Sequence, residues 1–297
     1  MKNSFLYQTR YCFILLVVFY VLPAFPGLAL GTDPPETLRR MYVIGDSTAA
    51  AYGPERFPLT GWAQVLQRYF DPNQLQVVDK AVSGRSSKSY WEEGRWDEVK
   101  GTLKKGDYVV VQFGHNDAKQ KDPKRFTDPE TTYKQYLNRY VDDIQAAGAI
   151  PILATSINRN VWKEDGTLEH TLGEYPVVVR ALARERSVFL VDMTRLTRML
   201  FEKLGPEKTT KLFMNLEPGQ YEHYPEGRSD NTHLTMQGAE SISKVFIDDL
   251  VSLDKDIQEM TAAEDNLPQE KAGGQVRYGK DGGEKAAVRI GETGSRK

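Results

Sequence analysis

A chain of 297 residues with 40% hydrophobic and 27% charged residues has the apolar content for one large α/β domain or two small ones, which excludes a chain too polar to build a core. A formal charge of −2 without any basic stripe argues against a nucleic-acid surface. The single cysteine, Cys12, leaves the rest of the chain without disulfides or cysteine metal sites.

The chain opens on a leader pattern. Lys2 and Arg10 supply positive charge, an apolar run follows over 11–22, and Pro23, Pro26 and Gly27-Leu28-Ala29 close it. Basic, then apolar, then small is the order of a secretory signal peptide, expected here over 1–31. The run of about twelve residues is short of the roughly 20 that a membrane-crossing helix needs. An uncleaved N-terminal anchor is the alternative. Export would place the mature protein outside the cytoplasm, secreted or periplasmic, and free of the membrane once the leader is cleaved. Losing Lys2 and Arg10 but no acid moves the charge from −2 to about −4, which favours solubility.

Met41-Tyr42-Val43-Ile44 reads as a first strand, and 61–70 carries Trp62, Val65, Leu66 and Tyr69 at helical spacing. Gln76-Val77-Val78 is a short second strand, and Tyr108-Val109-Val110-Val111-Gln112-Phe113 the strongest one. Tyr133, Leu137, Tyr140, Val141 and Ile144 mark a helix ending at Gly148. Strands follow at 150–154 and 188–191, with helices over 175–186, 195–204 and 237–253. Apolar strands alternating with amphipathic helices predict a parallel sheet covered on both faces. The expected domain is a flavodoxin-like three-layer α/β/α unit over 32–253 with a five-stranded parallel sheet. Ligands bind such sheets beyond the carboxyl ends of the strands. From Asp254 the pattern stops. The tail 254–297 is rich in Gly, Lys and Glu, has Tyr278 as its only aromatic residue, and is expected to be disordered, with a surface tether as the alternative.

Four polar clusters fall at loop positions. Gly45-Asp46-Ser47-Thr48 follows the first strand, where Ser47 would stand beside a helix N-terminus whose exposed N–H groups favour developing negative charge. On these residues alone, a helix cap is an equal reading. Ala81-Val82-Ser83-Gly84-Arg85-Ser86-Ser87 follows the second strand, and Gly84 can bring its N–H against a substrate oxygen with no Cβ in the way. An ordinary Gly/Ser turn is the alternative. Gly114-His115-Asn116-Asp117 follows the strongest strand; the Asn116 amide is a neutral donor suited to an oxyanion, or part of an Asx turn. Asp230-Asn231-Thr232-His233 precedes the last helix. A carboxylate three residues before an imidazole can fix its tautomer and leave the other ring nitrogen facing a serine, or it can cap the helix beside a surface histidine. Each cluster is a weak signal. Together they fill every role of acyl transfer: nucleophile, oxyanion donors, base and base-orienter.

With these blocks in place the chain resembles the SGNH (GDSL-type) hydrolases, and among them the rhamnogalacturonan acetylesterases. Beyond the four blocks, Thr60-Gly61-Trp62, Lys88-Ser89, Glu93-Gly94-Arg95-Trp96, Gln112-Phe113 and Gly238-Ala239 carry the likeness, which spans roughly 40–250. The resemblance implies Ser47 as nucleophile, His233 as general base and Asp230 as its orienter. It implies the backbone N–H groups of Ser47 and Gly84 and the side chain of Asn116 as oxyanion donors. The activity it implies is removal of acetyl groups from acetylated galacturonic acid in a pectin backbone, with no metal or organic cofactor. Two positions depart from the pattern. Asp79-Lys80 stands where an asparagine-containing pair is expected, and Leu234 follows His233 where an aromatic is common; both bear on the walls of a substrate groove.

His115 is a candidate substrate contact, with turn stabilisation as the alternative. Arg85 is a candidate partner for a uronate carboxylate, or a brace for its own loop. His170 and His223 read as rim or surface, and Trp91, Trp96 and Trp162 as rings that stack on a sugar or simply pack. The expected protein is a monomeric serine acetylesterase acting on an acetylated polysaccharide or oligosaccharide. One alternative is an SGNH esterase, lipase or thioesterase for another acylated carbohydrate or small ester. Others are a non-catalytic carbohydrate-binding protein on the same fold, and a metal-dependent hydrolase, for which no histidine pair has His-x-x-x-His spacing.

Overall fold

The β-branched runs of the sequence become a five-stranded, all-parallel sheet in the computed structural model, which describes residues 38–262. Strands β1 (Arg39–Gly45), β2 (Leu75–Asp79), β3 (Tyr108–Gln112), β4 (Ile150–Ala154) and β5 (Phe189–Val191) lie in the order β2-β1-β3-β4-β5. This is the expected flavodoxin-like arrangement. The leader expected over 1–31 and the tail beyond 262 lie outside the described residues.

Successive side chains of a strand point to opposite faces, and the sheet fills a core on each. Met41, Val43, Tyr108, Val110 and Ile152 enter one core, and Tyr42, Ile44, Val109, Val111 and Leu153 the other. Helices α1 (Ser87–Glu92), α2 (Arg95–Lys100), α3 (Lys134–Ala146) and α4 (Tyr175–Arg186) cover the second face; α5 (Met193–Thr210) and α6 (Met236–Leu253) cover the first. The order of the strands reverses between β1 and β3, so the loops leaving these two strands splay apart and open a crevice at their carboxyl ends.

The structure differs from expectation at several elements. The periodic stretch over 61–70 forms a 3-10 helix, Trp62–Tyr69, rather than an α-helix. Its buried Trp62 ring lies 4.7 Å from that of Phe246 on α6, and packing of this kind overrides intrinsic preference. Helix α1 was not expected because its start is a Ser86-x-x-Ser89 capping box, in which serine replaces the usual Glu or Gln. Helix α5 begins at the Asp192 cap and bends at Gly205 (φ 78°, ψ 169°) before Pro206, so it runs further than 195–204.

The expected end of the domain at residue 253 is also corrected. Asp254 does not open a structureless tail; its carboxylate accepts from the N–H groups of Asp256 and Ile257 and starts a further helix, α7 (Lys255–Glu259). Ile257 and Met260 are buried, and the chain pairs back on Tyr69 and Asp71 through Ala262 N–H to Tyr69 O (2.9 Å) and Asp71 N–H to Met260 O (3.1 Å). Two apolar residues among charged ones were too thin a pattern to announce a helix.

Candidate active site

Gly45 ends β1 so close to β3 that a Cβ there would lie 2.7 Å from the carbonyl oxygen of Gln112. The turn after it is held by Asp46, whose Oδ1 accepts from the Thr48 N–H (2.9 Å) and hydroxyl (2.8 Å). The Tyr52 hydroxyl fixes the same turn by donating to Ser47 O at 2.7 Å. Ser47 is thereby presented at the carboxyl end of the central strand, largely buried, with its hydroxyl turned toward His233.

The partner segment lies 186 residues later, immediately before α6. Ser47 Oγ and His233 Nε2 are 2.9 Å apart, and His233 Nδ1 is 2.8 Å from Asp230 Oδ2. A carboxylate facing Nδ1 assigns the proton to that nitrogen, leaving Nε2 to accept from the serine hydroxyl. Asp230 Oδ1 accepts from the N–H groups of Thr232 (2.9 Å) and His233 (3.0 Å). Burial alone would raise the Asp230 carboxyl, but the His233 ring and these backbone donors outweigh it and hold it well below the usual carboxylate range. Two residues not singled out in the sequence complete this corner. Arg228 donates to Asp230 Oδ2 from Nε (3.2 Å) and Nη2 (2.5 Å), and Asn215 brackets the Asp230 backbone with bonds to its N–H and C=O, each 3.1 Å. No spacing rule points to an arginine two residues before an aspartate, so only the folded loop reveals it.

Gly84 sits at φ +81° with open space where a Cβ would be, so glycine is required by backbone conformation and not by crowding. Asn116 is buried, and its amide orientation is fixed: Oδ1 accepts from Arg125 Nη1 (3.3 Å) and Nδ2 donates to Arg85 O (3.0 Å). The second Nδ2 proton is left for another acceptor. Among the described residues the N–H groups of Ser47 and Gly84 likewise meet no protein acceptor. The arrangement therefore brings together Ser47, His233 and Asp230, and ties Asn116 to the loop that carries Gly84.

His115 does not fit the substrate contact considered for it. It is 3% exposed, with Nδ1 3.1 Å from Asp46 Oδ2 and Nε2 3.1 Å from Ile157 O. Both ring nitrogens are occupied inside the protein, so its work is to join the turn bearing Ser47 to the loops after β3 and β4. The Arg85 side chain folds onto its own loop, donating to Glu93 Oε2 (3.0 Å) and Ser83 O (2.9 Å). That is the bracing alternative. Trp91 and Trp96 pack against Tyr140, with ring centroids 5.2 Å away in each case, and the Trp162 indole N–H donates to Asn160. His170 bonds Gly173 O, and His223 lies exposed in its loop.

Two carboxyls, buried Asp117 and half-buried Asp79, stiffen the frame. Asp117 accepts from the Ser87 N–H and hydroxyl and from Thr127 Oγ1, which clamps α1 to the loop after β3; burial pushes it up to about 7. Asp79, at the end of β2, is pushed up to about 7 by burial, and its Oδ2 is enclosed without a hydrogen-bond partner. An asparagine-containing pair was expected at 79–80, and a protonated Asp79 carboxyl has the neutral shape of an asparagine amide. Its proton is held in the folded state where the unfolded chain has lost it, so its contribution to stability falls as pH rises from about 4 to about 7. Asp79→Asn should therefore gain in melting temperature over the parent at pH 8 relative to pH 5. Thermal unfolding at both values tests this, and an equal difference at the two would show Asp79 ionised in the folded protein.

Residues 43–240 match the model of the GDSL-like lipase/acylhydrolase family. The rhamnogalacturonan acetylesterase RhgT of Bacillus subtilis is 37% identical over 214 residues, covering 72% of this chain and 90% of that protein. The probable rhamnogalacturonan acetylesterase YesY of the same organism is 36% identical over 205 residues, covering 69% and 89%. Among solved structures, the Bacillus subtilis protein YxiM superposes with a TM-score of 0.64 at 28% identity, over 74% of this chain and 58% of that one.

Proposed function

Because the chain belongs to the GDSL-like lipase/acylhydrolase family and is a carboxylic ester hydrolase, we propose that it removes O-acetyl groups from a plant cell-wall polysaccharide, acetylated rhamnogalacturonan foremost. The observation that carries the mechanism is the line from Ser47 Oγ through His233 to Asp230, with steps of 2.9 and 2.8 Å. His233 Nε2 takes the hydroxyl proton as Ser47 Oγ attacks the acetyl carbonyl carbon. The negative charge that develops on the carbonyl oxygen falls to the N–H groups of Ser47 and Gly84 and the spare Asn116 amide proton. Collapse breaks the bond to the sugar oxygen, which leaves with the proton from His233. Water then attacks the acetyl-Ser47 ester by the same route, with His233 again as base, and releases acetate. The substrate reading draws on the named activities of the relatives RhgT and YesY. A polymer of this kind is met outside the cell, in keeping with the leader expected over 1–31.

The test is acetate release from acetylated rhamnogalacturonan, homogalacturonan, xylan and chitin-derived oligomers, alongside acetyl and octanoyl p-nitrophenyl esters. Rhamnogalacturonan and the acetyl ester should give the highest kcat/KM. A clear preference for xylan or for the octanoyl ester would overturn the substrate reading and leave the serine chemistry standing. Asn116→Ala should lower kcat by about 10²–10³ with a smaller change in KM, since the amide serves the oxyanion and not the ground-state ester. Turnover at the parent rate would remove Asn116 from the oxyanion site.

A further inference from the structure

Positive charge gathers on the Asn116 side of the site in excess of the acids available to it. Arg125 reaches Asn116 Oδ1 at 3.3 Å. Lys119 lies three residues after Asn116 in a turn closed by its own N–H to Asn116 O (3.1 Å), with its side chain exposed. Arg159 comes from the loop after β4, between Ile157, whose carbonyl meets His115, and Asn160, whose N–H donates to Asn231 O (2.8 Å) in the turn that carries Asp230 and His233. Two loops, those after β3 and β4, thus bring three cations to the same side of the site.

The counter-charges do not match. Arg125 has Asp122 on its Nε. Arg159 is half-buried, and its partners among the described residues are the carbonyl and hydroxyl oxygens of Thr171, both at 3.2 Å. The Lys119 ammonium makes no ion pair or hydrogen bond among the described residues. The other acid in electrostatic reach is Asp46, which is fully enclosed and already committed to His115 and Thr48. Burial, then Arg125 and Arg159, push the Lys119 ammonium down against the pull of Asp46 and Asp122, so both arginines lie within electrostatic reach of it. Holding like charges in a half-dry rim costs stability, and an anion entering from solvent would relieve it.

We propose that Lys119 and Arg159, with Arg125 beside them, form a subsite for a carboxylate of the sugar chain, so that the enzyme reads a uronic acid at or next to the acetylated ring. This rests on the proposed deacetylation of a sugar polymer and adds a charge requirement to it. The acetyl ester is neutral and needs no cation of this kind. The guanidinium of Arg159 is a planar fork suited to a carboxylate, and exposed Lys119 adds a point charge.

The experiment compares acetylated rhamnogalacturonan oligosaccharides with the same oligosaccharides after their uronate carboxyls have been reduced to alcohols. The quantity read is the ratio of kcat/KM for the two, in the parent enzyme and in Lys119→Met, Arg159→Gln and Arg159→Lys. The parent should favour the uronate form about tenfold, as expected of a partly exposed charge-assisted contact. Added salt should shrink that ratio. Lys119→Met and Arg159→Gln should each bring it toward unity, while Arg159→Lys, which keeps the charge, should retain part of it. Lys119 is exposed, so its variant reads the charge even if Arg159→Gln disturbs the loop. A parent enzyme that deacetylates both forms equally overturns the carboxylate subsite but not the acetylesterase reading. A preference that survives in both neutral variants overturns the assignment to these residues. Acetate release from neutral xylan alone overturns both readings.

Discussion

Ser47→Ala should reduce acetate release by a factor on the order of 10⁶, the scale seen when a serine nucleophile of this kind is deleted. The geometry makes the loss specific. Among the described residues the serine hydroxyl has one protein partner, His233 Nε2 at 2.9 Å, while the turn around it is held by Asp46, Thr48 and Tyr52 and not by the hydroxyl itself. The variant should fold with an unchanged circular dichroism spectrum and melting temperature. It should also escape the covalent labelling by a sulfonyl fluoride that the parent undergoes. Activity within tenfold of the parent would mean that another group attacks the ester.

Asp230→Asn should cost about 10⁴ in kcat, with the protein still folded. The reason lies in how many donors converge on this carboxylate. Oδ1 receives two backbone N–H groups, and Oδ2 receives His233 Nδ1 and Arg228. An asparagine has one oxygen to offer, and the backbone pair at Oδ1 claims it. The amide NH₂ then faces His233 and Arg228. The imidazole can accept from it at Nδ1 only by moving its proton to Nε2, where it points at Ser47 and cannot take the hydroxyl proton. The Arg228 guanidinium loses its acceptor as well, so a fall of a few degrees in melting temperature should accompany the loss of rate. Measured kcat for p-nitrophenyl acetate decides the matter, and a decrease below tenfold would show that Asp230 does not set the tautomer.

Much of this site was legible before folding, because acyl transfer needs few residue types and the sheet tells where to look for them. Ser47, Gly84 and Asn116 each follow an apolar run by a few residues, and the strand order places those runs side by side around the reversal between β1 and β3. Asp230 and His233 could be paired because three residues of separation suffice for their contact. What the sequence concealed depends on contacts between distant segments. Arg228 and Asn215 matter because a long loop folds back on Asp230, and no local pattern encodes that closure. His115 looked available because polar residues at strand ends usually face solvent; burial between Asp46 and Ile157 made it a fastening. The early end expected for the domain failed for another reason, since α7 rests on Ile257 and Met260, too few to form a visible stripe.

The seating of α7 also settles the polarity of the molecule as an object to be handled. Arg39 at the start of β1 pairs with Asp256 (2.9 Å), and Tyr108 at the start of β3 meets Asp254 (3.4 Å). Residues 38 and 262 therefore both emerge at the amino ends of the strands, whereas Ser47 follows the last residue of β1. With β1 seven residues long, about 20 Å of strand separates that pole from the nucleophile. A module grafted at either point, or immobilisation of the enzyme through it, would leave the turn that carries Ser47 facing away from the attachment.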